Sequence, residues 1–205
     1  MGHRHAISSN RILGPSGFQS GHLIIHDHLI EKVLPEGQLP EGIPRVDVGN
    51  WVVMPGVIDP HVHINEPGRA HWEGFETATQ AAAAGGTTTL VDMPLNNSPV
   101  TIDLSAFQQK LAAASGQTFV NCGLWGGFVP GSQAGLRELM SAGVLGIKVF
   151  MTDSGLDDFQ AVTKKDLLEA MTIMSNYQLP LLAHAEMAAP LPYPDPFLSN
   201  TSSYQ

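Results

Sequence analysis

From Val57 onward, short apolar runs alternate with helix-forming stretches, and each pair takes up roughly 30 residues, the length of a strand–helix unit with a right-handed crossover. The runs are the stretch Val57–Ile64, then TTTLVDMP, TFVNCGLWGG, GIKVFM and LPLLAHAEM. Between them lie WEGFETATQAAAAGG, TIDLSAFQQKLAAASG, GLRELMSAG and TKKDLLEAMTIMSNY, each read as a helix. Alanine favours the first of these, and Gly85-Gly86 supply its stop. Thr163, with Asp166 three residues on, makes a capping box at the start of the last. Continuous apolar runs predict parallel strands buried on both faces. An α/β fold follows, with about five strands and four helices. An open doubly wound sheet would satisfy the alternation. Polar and metal-type residues at the ends of most of the runs favour an incomplete (β/α)8 TIM-type barrel, which gathers its site at that face.

Residues 1–55 read differently, as a small N-terminal β segment. GHLIIHDHLIEKVL predicts a hairpin with Asp27-His28 at its bend, LPEGQLPEGIP a loop, and RVDVGNWVVMPG a return to strand. The predicted organisation is thus a β segment at 1–55, a partial barrel at 56–189 and a Pro/Ser-rich tail at 190–205.

Composition narrows the function. Hydrophobic residues make up 43% of the 205 and charged residues 14%, enough to bury a core. A net charge of −9 with only 10 Lys and Arg excludes a nucleic-acid or anionic-membrane surface. Cys122 is the one cysteine, so neither an intrachain disulfide nor a cysteine zinc module is available. No apolar run approaches the roughly 20 residues of a membrane span. MGHRHAISSN lacks the apolar block of a secretory signal, and Ala6 sits where myristoylation wants Ser or Thr. A soluble intracellular protein, of the cytoplasm or an organelle, is expected, with no address visible for either. Nine histidines raise the expectation of metal chemistry.

His61 and His63 stand at i and i+2, so on a strand both rings point to one side and can reach one ion about 2 Å away. Their bland reading is a pair of satisfied histidines near a turn. His26 and His28 share the spacing at a hairpin bend, and His3 and His5 share it in a floppy terminus, neither a setting for ligands. Lys148, between Ile147 and Val149, would lose charge on burial. A neutral amine can combine with carbon dioxide to form a carbamate, an anionic oxygen ligand able to bridge two cations. Alternatively, Lys148 pairs with a carboxylate at the strand mouth. His184 ends the fifth run; it is a ligand or a satisfied core side chain. Three imidazoles and a carbamate suit Zn²⁺, Mn²⁺, Co²⁺ or Fe²⁺.

PGVIDPHVHINEPGR, EGFETATQAAAAGGTTTLVDMPLNNSP, GIKVFM and LLAHAE, in this order, resemble the cyclic amidohydrolases, most closely their allantoinase branch. The resemblance runs from about Ile12 to the C-terminus. Dihydroorotases usually carry arginine where this chain has Asn65, and tend to read MPNT where it has MPLNNSP. The resemblance implies a (β/α)8 barrel and a small β-sandwich domain that includes the N-terminal segment. It implies two divalent ions, zinc above all, with His61 and His63 on one, His184 on the other, and carboxylated Lys148 as the bridge. The implied reaction is hydrolysis of allantoin to allantoate in purine degradation. A hydantoinase or dihydropyrimidinase activity is the alternative.

Asn65 and Asn96 become candidate substrate contacts, although Asn96 reads equally as a turn residue. Asp59, Asp92 and Glu186 could orient the ligands or serve as structural acceptors. Family members are commonly multimeric, so a homo-oligomer is expected, with a small cyclic amide as substrate and neither nucleic acid nor membrane as partner. The family pattern also asks for a histidine after strand six and, after strand eight, the aspartate that acts as general base. Neither is found here; Asp195 lies in the tail. The chain is therefore expected to be the N-terminal part of such an enzyme, with no general base of its own. A non-catalytic product that pairs with a full-length subunit is the third reading.

Overall fold

The computed structural model describes residues 3–186, and the chain divides into two units between Gly56 and Val57. The tail expected at 190–205, with Asp195, lies outside the described residues.

In the first unit, β1 (Arg4–Gly14), β2 (Gly17–His26) and β3 (Leu29–Pro35) form an antiparallel meander. β4 (Arg45–Asp47) and β5 (Val52–Val53) then pair with β1 in parallel. The bend between β2 and β3 falls at Asp27, whose φ of 55° is one that a short polar side chain tolerates. Ala6, Ile12, Leu23 and Ile24 form the buried apolar part. One expectation fails here. His5 belongs not to a floppy end but to β1, opposite Ile25, and its ring lies 5.4 Å from that of His3. Pairing with β2 satisfies this stretch of backbone, and the sequence alone did not reveal that partner.

The second unit alternates strictly. β6 (Val57–Val62) is followed by α1 (Phe75–Ala84), β7 (Thr87–Asp92) and α2 (Leu104–Ala114). Then come β8 (Asn121–Leu124), β9 (Gly126–Gly127), α3 (Gln133–Ser141), β10 (Ile147–Phe150), α4 (Lys164–Met174) and β11 (Leu181–His184). Every strand pairing in this unit is parallel. β8 and β9 are one strand interrupted at Trp125: its amide donates to Asp92 O on one side, at 2.9 Å, and the Gly126 amide donates to Gly146 O on the other, at 3.0 Å. Each strand therefore neighbours the next in sequence, from β6 to β11. A doubly wound sheet reverses its strand order partway; no reversal occurs among the described residues.

Local chemistry sets the helix starts. Asp103 accepts the Ala106 amide at 2.8 Å to open α2. Thr163 and Asp166 form the expected reciprocal box at α4. At α1 the position before the helix is Gly74, which has no side chain, so Glu66 reaches across from the loop after β6 and accepts the Phe75 amide at 2.9 Å. Phe75, Leu90, Phe107, Leu139, Ile147 and Val149 belong to the core built by these strands and helices.

An ion pair lies wholly inside this unit. Lys110, 0% exposed on α2, stands 2.6 Å from Asp92 Oδ2 at the end of β7, itself 1% exposed. The ammonium also donates to Met93 O at 2.7 Å and to Asn97 Oδ1 at 2.9 Å. Asp92 Oδ1 accepts the Ile64 amide at 2.8 Å. Burial pushes the carboxyl up and the ammonium down, and their mutual contact opposes both shifts.

Two predictions follow from these contacts. Lys110→Met leaves a buried carboxylate uncompensated and should lower stability by about 3–5 kcal/mol. The double variant Asp92→Asn/Lys110→Met should lose clearly less, as read by urea denaturation. At α4, two hydrogen bonds with Thr163 hold Asp166 below the usual carboxylate range. Its contribution to the helix start is present above the unfolded-state pKa and is lost as pH falls through the lower folded value. Faster exchange of the Thr163 amide should set in only below about pH 4.

Candidate metal centre

His61 is the fifth residue of β6, and His63 follows the end of that strand. The pairing of β6 with β7 passes from Asp59↔Leu90 to Val62↔Asp92, so an extra residue bulges between them. The bulge falls at Pro60 and His61, so the regular register is broken just ahead of Val62 and His63. The His61 and His63 rings still sit side by side, with centroids 5.7 Å apart and planes tilted by 54°. The His61 amide donates to Asp59 Oδ1 at 3.0 Å. Trp125 Nε1 donates to Pro60 O at 2.8 Å. His63 keeps an exposed edge, yet the atoms around it desolvate the imidazole and hold its pKa below the ordinary value. Nearby Asp92 opposes that shift, and His61 adds to it.

The loops after β6 and β7 are stitched together. Asn96 Nδ2 lies 3.2 Å from His63 Nδ1. Arg69 Nη1 donates to Asn96 O at 3.1 Å, and the Ser98 amide donates to Pro67 O at 2.8 Å. Gly68 has a φ of 91°, and a Cβ there would stand 2.7 Å from Ser98 O, so only glycine lets the loops touch. Asn65 and Asn96 both adopt positive φ, 66° and 69°. Asn65 is 8% exposed, and its buried Oδ1 has no hydrogen-bond partner among the described residues.

Lys148 and His184 lie on neighbouring strands. Lys148 pairs in register with Leu182, and Phe150 with His184, so all four side chains share one face. The two Phe150 and His184 rings stack at 4.7 Å, and Lys148 Nζ lies 4.9 Å from the Phe150 centroid. Glu186 approaches His184 Nε2 at 3.1 Å. Lys148 is only 4% exposed, and burial holds its pKa below the ordinary lysine value. Among the described residues it has no carboxylate partner.

The candidate residues thus gather in two places: His61, His63, Asn65 and Asn96 at the end of β6 and β7, and Lys148 with His184 on β10 and β11. Among the described residues, no three His, Cys, Asp or Glu side chains close into one metal cluster. The donors themselves fit borderline divalent ions: imidazoles with accessible nitrogens, and a buried amine with no counter-charge. Asp92, read from the sequence as an orienting residue or a structural acceptor, is tied to Lys110 and to the backbone under His63. Sequence reasoning missed Lys110, Trp125 and Phe150. Only Phe150 left a signal, standing two residues from Lys148 on a strand and hence on the same side.

Comparison with known proteins gives a consistent result. Residues 52–190 match the amidohydrolase family. The chain is 44% identical over 200 residues to a mitochondrial allantoinase of Aquarana catesbeiana, covering 97% of this chain and 41% of that protein. It is 41% identical over 205 residues to an allantoinase of Arabidopsis thaliana, covering 97% and 40%. Among solved structures, an L-hydantoinase (dihydropyrimidinase) from Arthrobacter aurescens superposes with a TM-score of 0.81 at 30% identity, over 88% of this chain and 40% of that one. The chain spans about two fifths of the length of these relatives. It belongs to the amidohydrolase family.

Proposed function

We propose that this chain contributes to a metal-dependent hydrolase that opens the hydantoin ring of allantoin to give allantoate, a step of purine degradation. The observation that carries this reading is 44% identity with a curated allantoinase along 97% of the chain. The L-hydantoinase likeness stands at 30% identity and supports the ring chemistry more than the substrate. It is the reason to keep hydantoins and dihydropyrimidines as the second reading. Sequential strand order supports placing the five parallel strands within an eight-stranded barrel.

Amidohydrolases are generally dependent on a pair of metal ions. His61 and His63 would hold one, His184 the other, with Lys148, as its carbamate, between them. When bound, such ions polarise a carbonyl and lower the pKa of water. The chain's own residues prepare for this. Burial of Lys148 without a carboxylate favours the neutral amine that carbamate formation requires. Asn96 Nδ2, 3.2 Å from His63 Nδ1, ties the imidazole to the loop after β7 and so limits its rotation. The unpartnered Oδ1 of Asn65 is an acceptor suited to an N–H of a cyclic ureide.

The test is a substrate panel with the full-length protein supplied with zinc and bicarbonate. Allantoin should be consumed in preference to hydantoin and dihydrouracil; ring opening of those two alone would overturn the allantoin assignment. His61→Ala and Lys148→Arg should each lower kcat/KM for allantoin by at least about 10²-fold, more than the loss of a residue that only orients a ligand. Undiminished activity of Lys148→Arg, which keeps a cation but forms no carbamate, would remove Lys148 from the site. Asn65→Ala should act mainly on substrate recognition, raising KM about tenfold and leaving zinc content unchanged, as measured by steady-state kinetics and metal analysis.

A further inference from the structure

His61, the first histidine of the candidate centre, stands on a piece of strand that its neighbour does not hold, and His63 follows just after pairing resumes at Val62. Pairing with β7 skips from Asp59 to Val62, leaving Pro60 and His61 without register partners. A strand carbonyl left without its ladder bond must find another donor or face water. Pro60 O finds the indole of Trp125, at 2.8 Å, from a residue two strands away. That bond spans 65 positions of sequence and ends on the carbonyl directly before His61.

Trp125 is itself firmly placed. It is 7% exposed, and its amide is bound to Asp92 O, at the strand end below His63. Its ring lies over Gly146, where a Cβ would come within 2.6 Å of Cζ3, so no other residue type leaves it that room. Trp125 belongs to a buried cluster with Val91, Met93 and Phe159. One residue therefore links the bulge of β6, the end of β7 and the entry to β10. A phenylalanine could fill much of this space but could not donate to Pro60.

We propose that Trp125 is a positioning residue for the His61–His63 pair: its indole N–H pins the bulge in β6 and so sets the mutual placement of the two imidazoles. This rests on the reading of that pair as metal ligands. The bond leaves the rings free of direct contact with Trp125, so its effect passes through the backbone at Pro60. Residues that orient metal ligands without touching the ion commonly carry 10–100-fold in affinity.

The experiment replaces Trp125 in the full-length protein with benzothienylalanine, which keeps the shape of the bicyclic ring but has no N–H. Zinc binding is measured by equilibrium titration beside wild type and His61→Ala/His63→Ala, with the same replacement at Trp51, which is 78% exposed, as control. The proposal expects about tenfold weaker zinc binding for the Trp125 isostere, an unchanged thermal midpoint without metal, and no effect at Trp51. An isostere that binds zinc as wild type does would reduce Trp125 to a packing residue. Zinc binding that is absent in wild type, or indifferent to loss of both histidines, would sink the metal reading itself and this inference with it.

A second measurement needs no variant. Trp51 and Trp72 are 78% and 60% exposed, so the slowly exchanging indole N–H in an ¹⁵N-tryptophan spectrum should be that of Trp125. It should shift when zinc is added while those of Trp51 and Trp72 stay in place. A Trp125 indole that exchanges as fast as those of Trp51 and Trp72, or that ignores zinc, would overturn the assignment.

Discussion

One carboxylate fixes the ground on which the candidate centre stands. Asp92 ends β7 with one oxygen on the Ile64 amide and the other on the Lys110 ammonium. The first contact locks the chain one residue after His63. The second reaches a helix whose lysine also clamps Met93 O and Asn97 Oδ1, on the loop that presents Asn96. A buried ammonium with three oxygen partners has its charge answered and its donors used, the condition under which burial of an ion is tolerated. Both loops are thus referenced to one rigid point. The imidazole of His63 and the amide of Asn96 meet at 3.2 Å because their backbones are held from below.

This changes how the NEPGR and NNSP stretches are understood. Most of their residues are occupied with building. Glu66 caps α1, Gly68 permits contact with Ser98, and Arg69 binds Asn96 O while its guanidinium lies over Trp72, 5.2 Å from the ring centroid. Asn65 is the exception, buried with an idle oxygen. A motif that looks chemical by its composition is mostly a joint between two loops, with one or two positions left over for a ligand.

Much of this unit was legible in advance for a plain reason. Apolar runs and helix stretches of about 30 residues are local signals, and the Thr163–Asp166 box and the Gly86 stop are decided by neighbours in sequence. The hairpin at Asp27 was equally local. What stayed hidden depends on partners far along the chain. His5 in β1 needs β2; the break at Trp125 arises where one strand changes from pairing with β7 to pairing with β10; the bulge beneath His61 needs the register with β7. Lys110 stands in the helix stretch QQKLAAA, and nothing local says that an aspartate 18 residues earlier waits for it. The histidine pair could be picked out by spacing, but its geometry is not that of an ideal strand. Nor do three His, Cys, Asp or Glu side chains close into one cluster among the described residues.

The contrast between the two buried lysines separates structure from chemistry more sharply than either residue alone. Lys110 and Lys148 are 0% and 4% exposed, and burial lowers the pKa of both. Lys110 recovers its charge through a carboxylate and two carbonyl-type oxygens, so its amine is spoken for. Among the described residues Lys148 has only the face of Phe150 at 4.9 Å, a weak attraction that does not balance the loss of water. A fold that needed Lys148 only as a spacer would be more stable with leucine or methionine there. The uncompensated amine makes sense if something else completes it, and a carbamate between cations would turn the same desolvated position from a liability into a ligand.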